Sequence, residues 1–132
     1  MSVAVELEQL AERVAEYGSV AFLVTVGDDG SPHVTSAAVA VEDEVITAGA
    51  GRTTSGNVGR RPAVTVLWPA VGGDYCLIVD GAARIEGEGS SARAIVEPTR
   101  AVLHRIAGAP TDLPSCVTVL DRRADADPCT AD

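Results

Sequence analysis

The chain has 132 residues, 46% of them hydrophobic, and its 19 acidic residues outnumber its 10 basic ones to give a net charge of −9. The length fits one domain with a substantial core, and the hydrophobic content excludes wholesale disorder. The negative charge argues against general binding to nucleic acid or to anionic membranes, because phosphate groups require a positive protein surface. Neither a signal peptide nor a run of the ~20 apolar residues needed for a membrane span is present, so we expect a cytoplasmic protein.

The three cysteines, Cys76, Cys116 and Cys129, are widely spaced. They form neither a disulfide framework nor a zinc-binding pattern, so the sequence predicts no metal site. Cys76 lies in an apolar run and is expected to be a buried thiol. Cys116 and Cys129 flank a polar tail, where they either pair with each other or stay free.

An amphipathic helix is predicted over residues 3–17. Glutamates occupy one face, and Gly18 supplies the stop signal at the end. The opposite face is apolar and comprises Val3, Leu7, Leu10, Val14 and Tyr17. We therefore assign residues 1–18 to a helix packed on the rest of the domain.

The pattern then changes to strands. Residues 19–26 form a continuous apolar run of the kind buried on both faces, and a turn with an Asp-Gly pair leads into a return strand over residues 33–41. A tight acidic turn leads into a third strand over residues 45–50. Connections this short predict an antiparallel meander.

The second half contains further strands and breaks. Strands are predicted over residues 63–69, 74–87, 91–107 and 116–121. The second of these is either one long strand with a glycine bulge at Asp80-Gly81, which we prefer, or a hairpin at that point. The third is predicted to be an edge strand kinked at Pro98. The fold class is therefore mainly β, a barrel of about six antiparallel strands over residues 19–121, with residues 122–132 expected to be a disordered tail.

The connector "GAGRTTSGNVGRRP", residues 49–62, has three arginines and no acid. Thr53 or Thr54 is expected to cap a short helix there, and the exposed N–H groups of a helix start attract phosphate. Arg52 precedes the cap, and the hydroxyls of Thr53, Thr54 and Ser55 would complete an anion site. Gly49 and Gly51 leave room for a ligand. The same residue types also form ordinary solvated loops, so both interpretations stay open.

The order of these elements resembles the pyridoxamine 5′-phosphate oxidase-like family, the flavin-binding split β-barrels. The resemblance covers roughly residues 19–105 and rests on "AFLVTVGDDGSPHVTSAAV", "ITAGAGRTTSGNVGRRPAVTVLW" and "YCLIVDGAARIEG". Its motifs are the turn Asp29-Gly30-Ser31-Pro32-His33, then Asn57, then Arg61-Pro62 before the fourth strand.

This resemblance implies a homodimer with two flavin-type cofactors at the subunit interface. The cofactor phosphate would lie on Arg52, Thr53 and Thr54, and Asn57 would help to hold the loop. His104 and Arg105 of the partner subunit would close the pocket. The cofactor ring would lie over the second and third strands, near Thr35, Ser36, Ile46, Thr47 and Ala48.

One position departs from the family pattern. Many members carry a lysine three residues before the asparagine, where this chain has Thr54, so a weaker phosphate site is expected. FMN and the deazaflavin coenzyme used by some actinobacterial members therefore both remain candidates. Trp68, the only tryptophan, is interpreted either as packing or as a stacking wall for the ring.

The sequence shows no catalytic residues of its own. No Ser-His-Asp arrangement is suggested, so a bound cofactor would have to supply any redox chemistry. The leading hypothesis is an oxidoreductase that transfers hydride between FMN or a deazaflavin coenzyme and a small organic molecule. The alternative is a non-catalytic split-barrel dimer that binds flavin or haem.

Overall fold

The structure is a computed structural model that describes residues 3–108, 110 and 112–123, with side chains from Glu8 onward. These residues form two α-helices, seven strands and a short 3-10 helix at Gly89–Ser91. In chain order the elements are α1 (Val3–Tyr17), β1 (Val20–Val26), β2 (Pro32–Glu42), β3 (Val45–Gly49), α2 (Arg52–Arg60), β4 (Ala63–Trp68), β5 (Tyr75–Glu86), β6 (Arg93–Arg105) and β7 (Cys116–Asp121).

The strands form a closed antiparallel barrel. Their order is β3-β2-β1-β4-β5-β6-β7, and a further pairing of β3 with β6 closes the first six into a cylinder. β7 lies outside the barrel, on β6. The predicted mainly β fold, with a leading helix and a connector helix, is confirmed.

The prediction that residues 91–107 form an edge strand is wrong. β6 pairs with β3, β5 and β7, so it is among the most fully paired strands of the described sheet. Pro98 is tolerated because it lies next to an irregularity in the ladder, where a missing N–H costs least. Pro98 therefore lies at a β-bulge and not on an edge strand.

β5 is one continuous strand, as preferred, and not a hairpin. Its register with β6 shifts between Asp80, which faces Arg100, and Gly81, which faces Pro98. The extra residue is Thr99, so the bulge is on β6. A Cβ on Gly81 would come within 2.4 Å of the Glu97 carbonyl oxygen, and this close approach is what requires glycine.

The apolar run of β1 is not buried on both faces within this chain, contrary to the prediction. Ala21, Leu23 and Thr25 point into the barrel and are buried, whereas Val20 and Phe22 on the outer face are 62% and 37% exposed. A barrel strand has one inner and one outer face. The described residues therefore leave an apolar outer face on β1 uncovered.

α1 has the predicted bounds and packs through its apolar face. Leu10 and Val14 are buried, and the Tyr17 hydroxyl donates to the Tyr75 carbonyl oxygen at 2.8 Å. Burial raises the pKa of Tyr17 above its ordinary value. The side chains of Val3 and Leu7 lie outside the described ones. Neither helix is long and apolar enough to cross a membrane, among the residues described.

The expectations for the cysteines and the tail have different outcomes. Cys76 is a free thiol but only half-buried, because it lies on the outer face of β5, so the prediction of a buried thiol is wrong. Cys129 and residues 124–132 lie outside the described part of the chain. The pairing of Cys116 with Cys129 and the disorder of residues 122–132 therefore stay predictions.

Candidate functional site

The connector forms α2, which packs across one end of the barrel. Gly51 is the N-cap residue in an extended conformation, and no side chain caps the helix. The predicted threonine cap is therefore wrong. The helix begins at Arg52, earlier than a threonine cap requires, so Thr53 and Thr54 lie inside its first turn, and Thr54 is buried at 1% exposure. The first turn is closed by the backbone instead, where the Ser55 N–H donates to the Gly51 carbonyl oxygen at 2.9 Å.

Asn57 anchors α2 to the barrel. Its Nδ2 donates to the Thr25 hydroxyl at 3.0 Å, and both residues are buried, at 4% and 0% exposure. Buried polar groups of this kind need their partners. The geometry suits the role in holding the connector that the resemblance implies for Asn57.

Two of the three connector arginines form ion pairs within the chain. Arg60 Nε and Arg61 Nη1 donate to Asp28 Oδ1 at 2.7 and 2.8 Å. The hydrogen bonds from Arg61 and Arg60 lower the pKa of the Asp28 carboxyl. They tie the end of α2 to the turn between β1 and β2. The side chain of Arg52 is exposed and forms no ion pair or hydrogen bond with any residue that the structure describes.

Arg52 borders a pocket of about 530 Å³ at the barrel end. One wall comes from the start of α2, and the opposite wall comes from the segment that joins β5 to β6. The lining residues are Ala50, Gly51, Arg52, Ser55, Ile85, Gly87, Glu88, Gly89 and Ala92. We call this the Arg52 pocket. The corner where the sequence predicts a phosphate is therefore open.

A second pocket of about 310 Å³ lies on the outer face of β2 and β3, and we call it the β3 groove. Its lining includes Thr47 and Ala48, two of the predicted ring-binding residues. The remaining lining residues are Ser19, Val20, Ala38, Val39, Ala40, Gly49 and Arg93.

The two pockets adjoin along the line where β3 meets β6. Gly49, in the β3 groove, pairs with Arg93, and the Ala50 N–H, in the Arg52 pocket, donates to the Ala92 carbonyl oxygen at 3.1 Å. A molecule that occupied both pockets would have to pass over the backbone of residues 49–51.

Gly49 and Gly51 lie where the two pockets adjoin, and nothing in the described fold requires glycine at either position. Neither has a positive φ, and a Cβ on either would meet nothing within 4 Å. Backbone conformation and packing within the described chain therefore do not require glycine at these positions. Glycine at such positions allows another molecule to approach the backbone closely.

The other predicted ring and phosphate residues are placed differently. Ile46 is fully buried inside the barrel, whereas Thr35 and Ser36 lie on β2 beside Leu23 and Phe22 of β1. Thr53 is exposed in the first turn of α2. None of these four lines the Arg52 pocket or the β3 groove.

Trp68 lies in the core. It is 0% exposed, and its Nε1 donates to the Gly18 carbonyl oxygen at 2.9 Å where α1 ends. A ring inside the barrel cannot stack on a cofactor outside it, so this placement favours the packing interpretation of Trp68.

His104 and Arg105 lie at the far end of β6 from both pockets. His104 lies eleven positions after Arg93 along β6, which is about 36 Å of extended chain. His104 Nδ1 lies 2.9 Å from the Arg105 carbonyl oxygen, and Arg105 Nη1 donates to the Leu113 carbonyl oxygen at 2.7 Å. Within one chain these residues do not reach the pockets, so only a second copy could bring them there.

Sequence reasoning missed the wall formed by Gly87, Glu88 and Gly89. The predicted strands end at residue 87 and resume at residue 91, so Gly87 is placed at a strand end and residues 88–90 are left without an assignment. Two glycines around a glutamate were the available signal, and both adopt a positive φ, +82° and +57°. The Arg52 pocket thus offers one unpaired arginine, one hydroxyl and one carboxylate, and no cluster of metal-binding side chains occurs among the described residues.

The sequence matches no model of a known protein family and no curated protein. Among solved structures, a general stress protein 26-related protein of the pyridoxinephosphate oxidase family from Clostridium acetobutylicum superposes with a TM-score of 0.61 at 10% identity, over 89% of this chain and 95% of that one. The chain has the pyridoxamine 5′-phosphate oxidase-like split-barrel fold.

Two proteins of Mycobacterium smegmatis share this split-barrel fold. An FAD-binding protein matches with a TM-score of 0.51 at 17% identity, over 76% of this chain and 91% of that one. A haem-binding protein matches with a TM-score of 0.57 at 13% identity, over 90% of this chain and 59% of that one. The split barrel alone therefore does not specify the bound group.

Proposed function

We propose that this protein binds a flavin-type cofactor and transfers hydride between that cofactor and a small organic molecule. The observation that carries the proposal is the pair of adjoining pockets, which meet at residues 49–51 beside the unpaired Arg52. The split-barrel relative that binds FAD supports the flavin. FMN and a deazaflavin coenzyme are both compatible with this proposal.

The chemistry of the two pockets suits the two ends of such a cofactor. The guanidinium of Arg52 can donate two parallel hydrogen bonds to phosphate oxygens, and the nearby Ser55 hydroxyl can add a third. The β3 groove is lined mainly by small apolar residues and by Thr47, as expected for one face of a ring. The phosphate would bind in the Arg52 pocket and the ring in the β3 groove.

The bound cofactor would supply the hydride chemistry, and the protein residues would bind and orient it. Arg52 and Ser55 would hold the phosphate, and Asn57 would keep α2 in place through Thr25. The β3 groove contains no acidic or histidine side chain, only Arg93, which lies 3.6 Å from Glu42. This absence of an acid or base in the groove also supports the alternative, a non-catalytic flavin- or haem-binding protein.

Arg52→Ala should weaken the binding of FMN and of FAD by about 10- to 100-fold, because a charge-assisted hydrogen bond to phosphate contributes about 1.5–3 kcal/mol. Fluorescence titration of the purified protein measures both dissociation constants. Arg13→Ala is the matched control, since Arg13 is a half-exposed arginine on α1 that pairs only with Glu16 in the described structure. An unchanged dissociation constant in Arg52→Ala would remove Arg52 from the site.

The absorbance spectrum of the loaded protein separates the candidate functions. Bleaching of the flavin band by a nicotinamide or other organic hydride donor, with recovery on an acceptor, supports the oxidoreductase. A tightly bound flavin that neither donor nor acceptor changes supports the non-catalytic alternative, and an intense red-shifted band in the protein as purified indicates haem. A protein that rejects FMN, FAD and a deazaflavin coenzyme contradicts the proposal.

We also propose that the protein is a homodimer. The outer face of the barrel carries exposed apolar side chains on adjacent strands, Val20 and Phe22 on β1 and Val34 on β2. A contiguous apolar face of this kind is typical of a protein interface. A second copy on this face would also offer a route for His104 and Arg105 of the partner subunit to approach the cofactor.

Val34→Asp should therefore raise the dimer dissociation constant by at least about 10-fold, because it leaves an unpaired charge in an apolar contact. Light scattering over a concentration series measures the shift. Val71→Asp is the control, since Val71 is 65% exposed in the loop between β4 and β5. A wild-type protein that is monomeric throughout the series would contradict both the dimer and the shared pocket.

A further inference from the structure

We propose that the Arg52 pocket holds the adenosine monophosphate part of FAD, with its second phosphate beside the first on Arg52 and its nucleoside farther along the pocket, so that this protein binds FAD in preference to FMN. The inference rests on the proposed function, because it assumes a flavin ring in the β3 groove and a phosphate on Arg52. It goes further by naming the chemical class of the cofactor group that would occupy the rest of the Arg52 pocket.

The first argument is size. The Arg52 pocket, at about 530 Å³, is larger than the β3 groove, at about 310 Å³. A phosphate group on Arg52 needs only one corner of a cavity of this volume, which is in the range that holds a whole drug-sized ligand. FMN would end at Arg52 and leave the opposite wall without contacts.

The second argument is the shape of that opposite wall. A Cβ on Gly87 would lie 2.6 Å from the Ser91 carbonyl oxygen, so the turn itself requires glycine there. The turn is closed by hydrogen bonds from the Ser91 N–H to Glu88 O at 3.1 Å and from the Ala92 N–H to Gly89 O at 3.2 Å. Residues 87–92 therefore form a defined wall across the pocket from Arg52.

The third argument is the chemistry of the wall. Ile85 and Ala92 give it an apolar floor on which a planar base can lie, and Glu88 is its one ionisable residue. Glu88 forms no ion pair with a described residue. A free carboxylate accepts hydrogen bonds from ribose hydroxyls or a base amino group, and it repels an anionic tail. The wall thus favours a nucleoside at the end of the extension, with the diphosphate on the Arg52 side of the pocket and away from Glu88.

The test is a fluorescence titration of the full chain with FAD, FMN and riboflavin. We expect FAD to bind at least about 10-fold more tightly than FMN. Ala92→Leu should fill the floor and weaken FAD binding by about 10-fold with FMN unchanged. Glu88→Ala should also lower the ratio of FAD to FMN affinity. It tests the same subsite if Ala92→Leu does not fold.

The outcomes separate this inference from the proposed function. If FMN binds as tightly as FAD, or if Ala92→Leu and Glu88→Ala change both affinities by the same factor, the nucleoside subsite is wrong and flavin binding stands. If none of the three flavins binds to the wild-type protein, the proposed function is wrong and the subsite falls with it. Circular dichroism of each variant establishes that it is folded.

Discussion

Gly49→Val should weaken flavin binding by about 10- to 200-fold, the range for added side-chain atoms that conflict with a fitted ligand. The substitution places two methyl groups above the backbone where the β3 groove and the Arg52 pocket adjoin. The stability of the protein should be unchanged or higher, because the position has no positive φ, has open space, and is at the end of a strand where valine is favourable. Titration with FAD and urea unfolding measure the two quantities.

Gly73→Val is the matched control for this substitution. Gly73 also has no positive φ and no atom within 4 Å of a Cβ, but it lies in the loop between β4 and β5 and lines neither pocket. It should bind FAD like the wild type. Gly49→Val with wild-type affinity would show that no ligand passes over residues 49–51, and the proposed position of the cofactor would be wrong.

Trp68→Ala should lower the free energy of unfolding by about 3–5 kcal/mol, the typical cost of removing a large buried aromatic side chain. Trp68 is fully buried, and its Nε1 hydrogen bond to Gly18 joins the end of β4 to the end of α1. Its removal leaves a cavity and an unpaired carbonyl oxygen together. Urea unfolding followed by circular dichroism measures the loss, since the substitution removes the only tryptophan.

Trp68→Phe separates the two contributions. It keeps most of the packing and removes the hydrogen bond to Gly18, so it should cost less than Trp68→Ala. If flavin is bound, both variants should retain its affinity at concentrations of urea where they remain folded. A folded Trp68→Phe variant that loses flavin binding would instead favour the interpretation of Trp68 as a wall of the cofactor site.

Local patterns were sufficient to predict much of the fold. The helical spacing of Leu10, Val14 and Tyr17 gave α1, and turn residues between apolar runs gave the order of the strands. The continuous β5 was also predicted, with its irregularity at Asp80-Gly81. These features depend on neighbours in sequence, and the resemblance to the split barrels supplied the closure that local patterns do not contain.

Features that depend on distant contacts were not predictable in this way. The apolar run of β1 does not indicate which of its faces the same chain covers, and Pro98 does not reveal that β6 has partners on both sides. The predicted threonine cap of α2 is wrong because the helix begins at Arg52 and buries Thr54, and burial depends on how the helix packs. Glu88 could not be predicted as a site residue, because it comes to lie opposite Arg52 only in the folded chain.

The pairing of β3 with β6 would link binding of the proposed cofactor to the completion of folding. Ile46 pairs with Val96, so the cylinder closes only after a segment from the last third of the chain has arrived. Contacts between such distant parts of a sequence form slowly. The two walls of the Arg52 pocket also meet where β3 pairs with β6. A cofactor that binds both walls would therefore stabilise the closed barrel by mass action.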